Sequence, residues 1–120
     1  MNKHQIETLL SSFTGSDVSS PFGPDALVYK VKGKMYALVS QNEEIARVTV
    51  KCKPEDGEVL VSQFDSISPG YYMNKRHWIT IKLCGEVDST LLTDLAHHSY
   101  QLVVAKLKKA ERESLLINRD

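Results

Sequence analysis

Two alternating runs carry the side chains best suited to chemistry. Arg47-Val48-Thr49-Val50-Lys51 continues into Cys52 and Lys53, and Trp78-Ile79-Thr80-Ile81-Lys82 repeats the pattern. Successive side chains of an extended strand point to opposite faces. Arg47, Thr49, Lys51 and Lys53 therefore share one face, as do Trp78, Thr80 and Lys82, and Lys30 from an earlier run joins them. Cationic heads neutralise phosphates and an indole ring is a stacking platform, the combination that suits nucleic-acid backbones and single strands. The competing reading is structural: lysines keep an open sheet soluble and block edge pairing, while Trp78 covers neighbouring apolar stems.

Between the runs lies the densest group of polar and aromatic residues, Tyr71, Tyr72, Asn74, Lys75, Arg76 and His77, leading into Trp78. Such a loop can recognise a ligand or partner. A turn that packs Tyr71 and Tyr72 onto the sheet accounts for much of it, but Lys75 and Arg76 are hard to explain as packing.

Catalysis has little support. Cys52 and Cys84 lie outside any CxxC or CxxH arrangement, and neither has a histidine at a recognisable spacing. His97 and His98 are adjacent, so on a helix they point about 100° apart and cannot chelate one metal. His77 opens a strand on the apolar side, where a hydrogen-bonded core histidine is expected. Ser99-Tyr100 reads as structural, a small residue allowing close helix–sheet approach and a hydroxyl reaching a buried partner. No phosphate-cradling glycine loop, dinucleotide fingerprint or carboxylate cluster is present. The expectation is a protein that is not an enzyme and uses no cofactor and no metal.

The chain of 120 residues is 42% hydrophobic and 25% charged, values that fit one ordinary globular domain. Net charge is zero, yet residues 26–53 and 66–85 hold nine basic residues against Glu43 and Glu44, a balance of +7. The remainder holds six basic and thirteen acidic residues, a balance of −7. A local field decides which partner is attracted, so the separation matters more than the total. No apolar run approaches the roughly 20 residues needed to span a bilayer, and the start lacks a signal-peptide core. A cytoplasmic protein with reduced, structural thiols and no membrane partner is expected.

The elements that must position these residues follow from periodicity. Ile6, Leu9, Leu10 and Phe13 predict an amphipathic first helix ended by Gly15, and Ser16–Pro24 reads as a turn-rich connector. Ala26–Val31 and Met35–Ser40 are β-rich runs joined by Lys32-Gly33-Lys34, a tight hairpin. After the strand at Arg47–Lys53, Pro54 opens a helix whose core residues are Leu60 and Phe64, and Gly57 weakens it by about 1 kcal/mol relative to Ala. Ser68-Pro69-Gly70 is a turn, followed by the strand at Trp78–Cys84. From Ser89 to Lys109 helical spacing recurs, as one long helix or two broken near His98-Ser99. A core over residues 3–109 and a frayed tail over 110–120 are expected. The order α-β-β-β-α-β-α gives an α+β fold, a single antiparallel sheet with helices on one face.

Five segments resemble the MmcQ/YjbR family: Pro21-Phe22-Gly23; Tyr29-Lys30-Val31 with Gly33 to Leu38; Val50-Lys51-Cys52 before Pro54; Pro69 to Lys75 with His77-Trp78-Ile79; and Ser99-Tyr100 with Leu102-Val103. The resemblance spans residues 3–109 in the expected order. It implies a YjbR-like fold, akin to secretion-chaperone and CyaY-like sheets packed under helices. It also implies DNA binding, because the family's sheet is likened to a "double wing" motif. Two functional expectations result. The first is DNA binding through Lys30, Arg47, Lys51, Lys53, Lys75, Arg76, Trp78 and Lys82. The second is an adaptor or chaperone-like module that binds a protein partner, or a second copy of itself, through the same open sheet and Tyr71, Tyr72 and Asn74.

Overall fold

The computed structural model describes residues 1–70 and 74–117. Its elements are α1 (Lys3–Ser11), β1 (Ser16–Ser19), β2 (Ala26–Val31), β3 (Lys34–Ser40), β4 (Arg47–Lys51), α2 (Pro54–Gln63), β5 (Ile67–Pro69), β6 (Trp78–Lys82), α3 (Ser89–Ala105) and α4 (Lys109–Ile117). All strand pairs are antiparallel, in the order β1-β2-β3-β4-β6-β5. α1, α2 and α3 pack on one face of this sheet, the α+β architecture that the periodicity predicts.

Local chemistry sets the boundaries. Lys32 and Gly33 take φ of 50° and 78°, the two left-handed residues that a type I′ hairpin requires. Asn2 accepts from the Gln5 backbone N–H at 2.8 Å while Gln5 Oε1 accepts from the Asn2 N–H at 2.9 Å, a capping box that starts α1. Pro54 opens α2, and Asp88 caps α3 by accepting from the Leu91 N–H at 2.8 Å. α3 then runs unbroken through His98-Ser99. Gly57 is buried, and a Cβ there would lie 2.9 Å from Cys52 Sγ. Its cost in helix propensity is therefore offset by the close approach of α2 to the sheet.

A bulge breaks the alternation of β3. Tyr29 pairs with Ala37 but Lys30 pairs with Met35, so Tyr36 is the extra residue. Tyr36 and Ala37 are both 0% exposed in the core, while Met35 and Leu38 line the other face. The Tyr36 hydroxyl donates to the Leu10 carbonyl at 2.7 Å, tying the bulge to the end of α1.

Three elements correct the expected order. Ser16–Ser19 forms edge strand β1 where a connector is predicted; its polar residues lack apolar alternation, and main-chain pairing with β2 holds it. β5 is three residues long and ends in proline, which suits only an edge. In place of a frayed tail, Lys109–Ile117 forms α4, anchored by buried Leu115 and by Arg112 donating to the Leu107 carbonyl at 2.6 Å. Residues 118–120 lie outside the described residues.

Candidate functional site at the basic end of the sheet

The β4–β6 ladder delivers the outward rungs that alternation predicts. Arg47 lies opposite Lys82, Thr49 opposite Thr80, and Lys51 opposite Trp78. Between them, Val48 opposite Ile81 and Val50 opposite Ile79 turn into the core. The middle rung is not open surface: Thr49 is 5% and Thr80 2% exposed, and their hydroxyls are hydrogen-bonded at 2.9 Å.

The outer rungs differ in kind. Lys51 Nζ sits 6.0 Å from the Trp78 ring centroid, at the outer limit of a cation–π contact. Its pKa is lowered from the usual lysine value, by partial burial first and by the like charge of Lys106 second. None of the carboxylates of the described residues lies within ion-pair distance of Lys51. Arg47, by contrast, donates through Nε and a terminal nitrogen to Glu43 Oε1 at 3.2 and 3.0 Å. That guanidinium holds the Glu43 carboxyl below its ordinary range.

Strand direction separates these rungs further. Arg47 and Lys51 are four residues apart on β4, about 13 Å. At the Lys51 end converge the Lys32-Gly33 hairpin, Lys53, the exposed Lys75 and Arg76 ahead of β6, and Lys106 at the end of α3. At the Arg47 end converge the loops over 20–25, 41–46 and 83–88, with Asp25, Glu43, Glu44, Glu86 and Asp88. Glu55 and Asp56 in the first turn of α2 also stand near the Lys51 end; the cations are thus gathered unevenly along the strands, rather than spread over a uniformly basic face.

The predicted site residues sort accordingly. Lys51, Lys53, Lys75, Arg76 and Trp78 gather at the basic end, whereas Arg47 and Lys82 stand at the acidic end. Lys30 lies two strands away, directly opposite Asp17 of β1. Asn74 is exposed and accepts from the Arg76 N–H at 2.9 Å, which shapes the turn into β6. Tyr71 and Tyr72 lie outside the described residues. His77 precedes β6 half-buried, and its carbonyl accepts from the Cys52 N–H at 2.8 Å.

Two further contributors are Ser99, read from the sequence only as a structural residue, and Lys106, which that reading does not name. Ser99 is fully buried; its hydroxyl donates to the Tyr36 carbonyl at 2.6 Å and accepts from the Lys51 N–H at 2.8 Å. It thereby fixes the backbone under Lys51. Lys106 reaches the site only through the course of α3. The serine's place on the apolar side of a helical pattern is the one signal that marks it beforehand. Among the described residues no three His, Cys, Asp or Glu side chains converge as metal ligands, and no helix is long and apolar enough to cross a membrane.

An open antiparallel sheet with helices on one face defines a small α+β class. Within it this chain belongs to the YjbR family, whose model matches residues 11–102. It is 37% identical over 93 residues to the uncharacterized protein YbdF of Escherichia coli O157:H7, covering 78% of this chain and 76% of that one. It is 32% identical over 87 residues to the uncharacterized protein YjbR of E. coli K12, covering 72% and 74%. A crystal structure of a Deinococcus radiodurans protein with a DUF419 domain superposes with a TM-score of 0.88 at 38% identity, over 95% of this chain and 87% of that one. A Pseudomonas syringae protein superposes with a TM-score of 0.75 at 27% identity, over 85% and 98%.

Proposed function

We propose that the chain is a binding module rather than a catalyst, and that its basic end takes nucleic acid. Lys51, Lys53, Lys75 and Arg76 contact phosphates and Trp78 offers the stacking surface. The observation that carries this reading is the Lys51 ammonium, held against Trp78 and beside Lys106 with no carboxylate of the described residues in ion-pair distance. Like charges brought together at a cost are relieved by an anion, and a flat aromatic beside them favours one that carries bases. Arg47 is matched by Glu43 and Lys82 shares its end of the sheet, so both are peripheral to this site. Two unpaired thiols, Cys52 and Cys84, fit work in a reducing cytoplasm.

The test is a titration of labelled single- and double-stranded DNA at low and physiological salt, beside a Lys51/Lys75/Arg76→Ala variant. Binding that weakens steeply with salt and vanishes in the variant supports the reading. Absence of binding at low salt overturns it and leaves a protein partner as the occupant to seek.

A further inference from the structure

The outward face holds a second feature, which runs from Met35 and the middle rung of the sheet to the end away from the basic cluster. Residues of the loops over 20–25 and 41–46 wall a cavity of about 730 Å³ against β2, β3, β4 and β6, a size typical of small-ligand pockets. Ala26, Met35 and Leu38 give it an apolar lining, and the bulge at Tyr36 is what puts Met35 there. Thr49 and Thr80 also line it. Their mutual hydrogen bond uses one hydroxyl proton, and the other has no acceptor among the described residues.

The mouth has a sign. Arg47 is matched by Glu43 at 3.0 Å. Asp25 is held only by the Asn42 amide at 3.2 Å, with no cation of the described residues in ion-pair distance. The charged residues lining the cavity therefore sum to one negative charge, beside a Phe22 that is 74% exposed. An anion meets a carboxylate there; a cation meets a carboxylate and an aromatic side chain.

We infer that this cavity binds a small ligand with an apolar body and a cationic head, an aryl- or alkylammonium. The body lies on Ala26, Met35 and Leu38, and the ammonium sits at the mouth against Asp25 and Phe22. This inference is independent of nucleic-acid binding, which uses Lys51, Lys53, Lys75, Arg76 and Trp78, none of which lines the cavity.

The probes are 2-phenylethylammonium, the neutral 2-phenylethanol and the anionic 3-phenylpropanoate, followed through the methyl NMR signals of Met35, Leu38, Thr49 and Thr80. The ammonium is expected to give saturable shifts with a Kd of about 1 mM or tighter. The alcohol binds about tenfold more weakly, and the carboxylate more weakly again. Asp25→Asn keeps the contact with Asn42 and brings ammonium and alcohol to within about twofold of each other. Three results each overturn the inference: no saturable shift with the ammonium, equal binding of the carboxylate, or an ammonium preference that survives in Asp25→Asn. The amide spectrum of the variant, unchanged outside the loop, separates a lost charge from a lost fold.

Discussion

The hydroxyl of Ser99 donates to the carbonyl oxygen of Tyr36 at 2.6 Å, joining residues 63 apart in the chain. The Ser99 hydroxyl oxygen in turn accepts the Lys51 N–H at 2.8 Å. One side chain on α3 thus closes the gap between β3 and β4 where the bulge at Tyr36 disturbs the ladder, and it holds the strand that presents Lys51.

Ser99→Ala leaves both backbone groups without this partner in a buried setting, a loss of about 2 kcal/mol. Urea unfolding reads it as a lower midpoint with an unchanged slope. An unchanged midpoint would mean that the strands close the gap by themselves.

Charge removal is expected to act by end, not by face. Replacing Lys75 and Arg76 with alanine lowers the salt dependence of DNA affinity by about two phosphate contacts. Lys82→Ala, beside Arg47 at the acidic end, leaves the affinity within about twofold. Equal effects of the two variants would restore the whole sheet face as the interface.

The titration of Lys51 gives a sharper check. Its ammonium already loses its proton below the ordinary 10.5. As pH rises through that lowered value the charge disappears, and affinity for a polyanion falls with it. A bound phosphate favours the charged form, so binding moves the Lys51 pKa upward and, at pH values near that pKa, takes up protons. Side-chain NMR of Lys51 with and without an oligonucleotide measures the change. Because the folded value lies below the unfolded one, the charged form disfavours folding at neutral pH, and Lys51→Met is expected to raise stability while weakening binding. A pKa that does not move on adding DNA removes Lys51 from the interface.

Gly57 offers a test of close packing. Alanine there gains about 1 kcal/mol in helix propensity, but its Cβ meets Cys52 Sγ at 2.9 Å. Gly57→Ala is expected to destabilise by about 1 kcal/mol net. In a Cys52→Ala background the same change becomes neutral or favourable, a coupling of at least about 1 kcal/mol in a double-mutant cycle.

The two thiols separate by environment. Burial, with Asp56 second, pushes the Cys52 thiol up to about 11, while Cys84 is exposed. At pH 8 only about one Cys52 in a thousand is a thiolate. A disulfide reagent is expected to modify one equivalent quickly, lost in Cys84→Ser, and the second only on unfolding. Two fast equivalents would contradict the packing around Cys52.

Much of the fold is legible in the sequence because β4 and β6 alternate, β2 is a β-rich apolar run, and α3 keeps its helical period. What escapes has physical causes. β1 is held by main-chain pairing and shows no apolar rhythm. β5 is too short to establish a pattern. Four of the nine α4 residues are charged, and its docking rests on buried Leu115 and the Arg112 hydrogen bond to the Leu107 carbonyl. The bulge turns two successive residues, Tyr36 and Ala37, inward, which a period of two cannot anticipate. The candidate site is half legible. Alternation puts Arg47 and Lys51 on one face correctly, but only the antiparallel course of the strands reveals that they stand at opposite ends.

That arrangement means that a chain of zero net charge carries its cations and several of its carboxylates at different ends of the strands. Zero net charge ordinarily means indifference to ion-exchange media. Here the two signs are partly segregated, so at low ionic strength the protein should be retained by both cation- and anion-exchange resins, turning a different end towards each. The same segregation would align it on approach to any long polyanion before a single contact forms, with the acidic loops trailing.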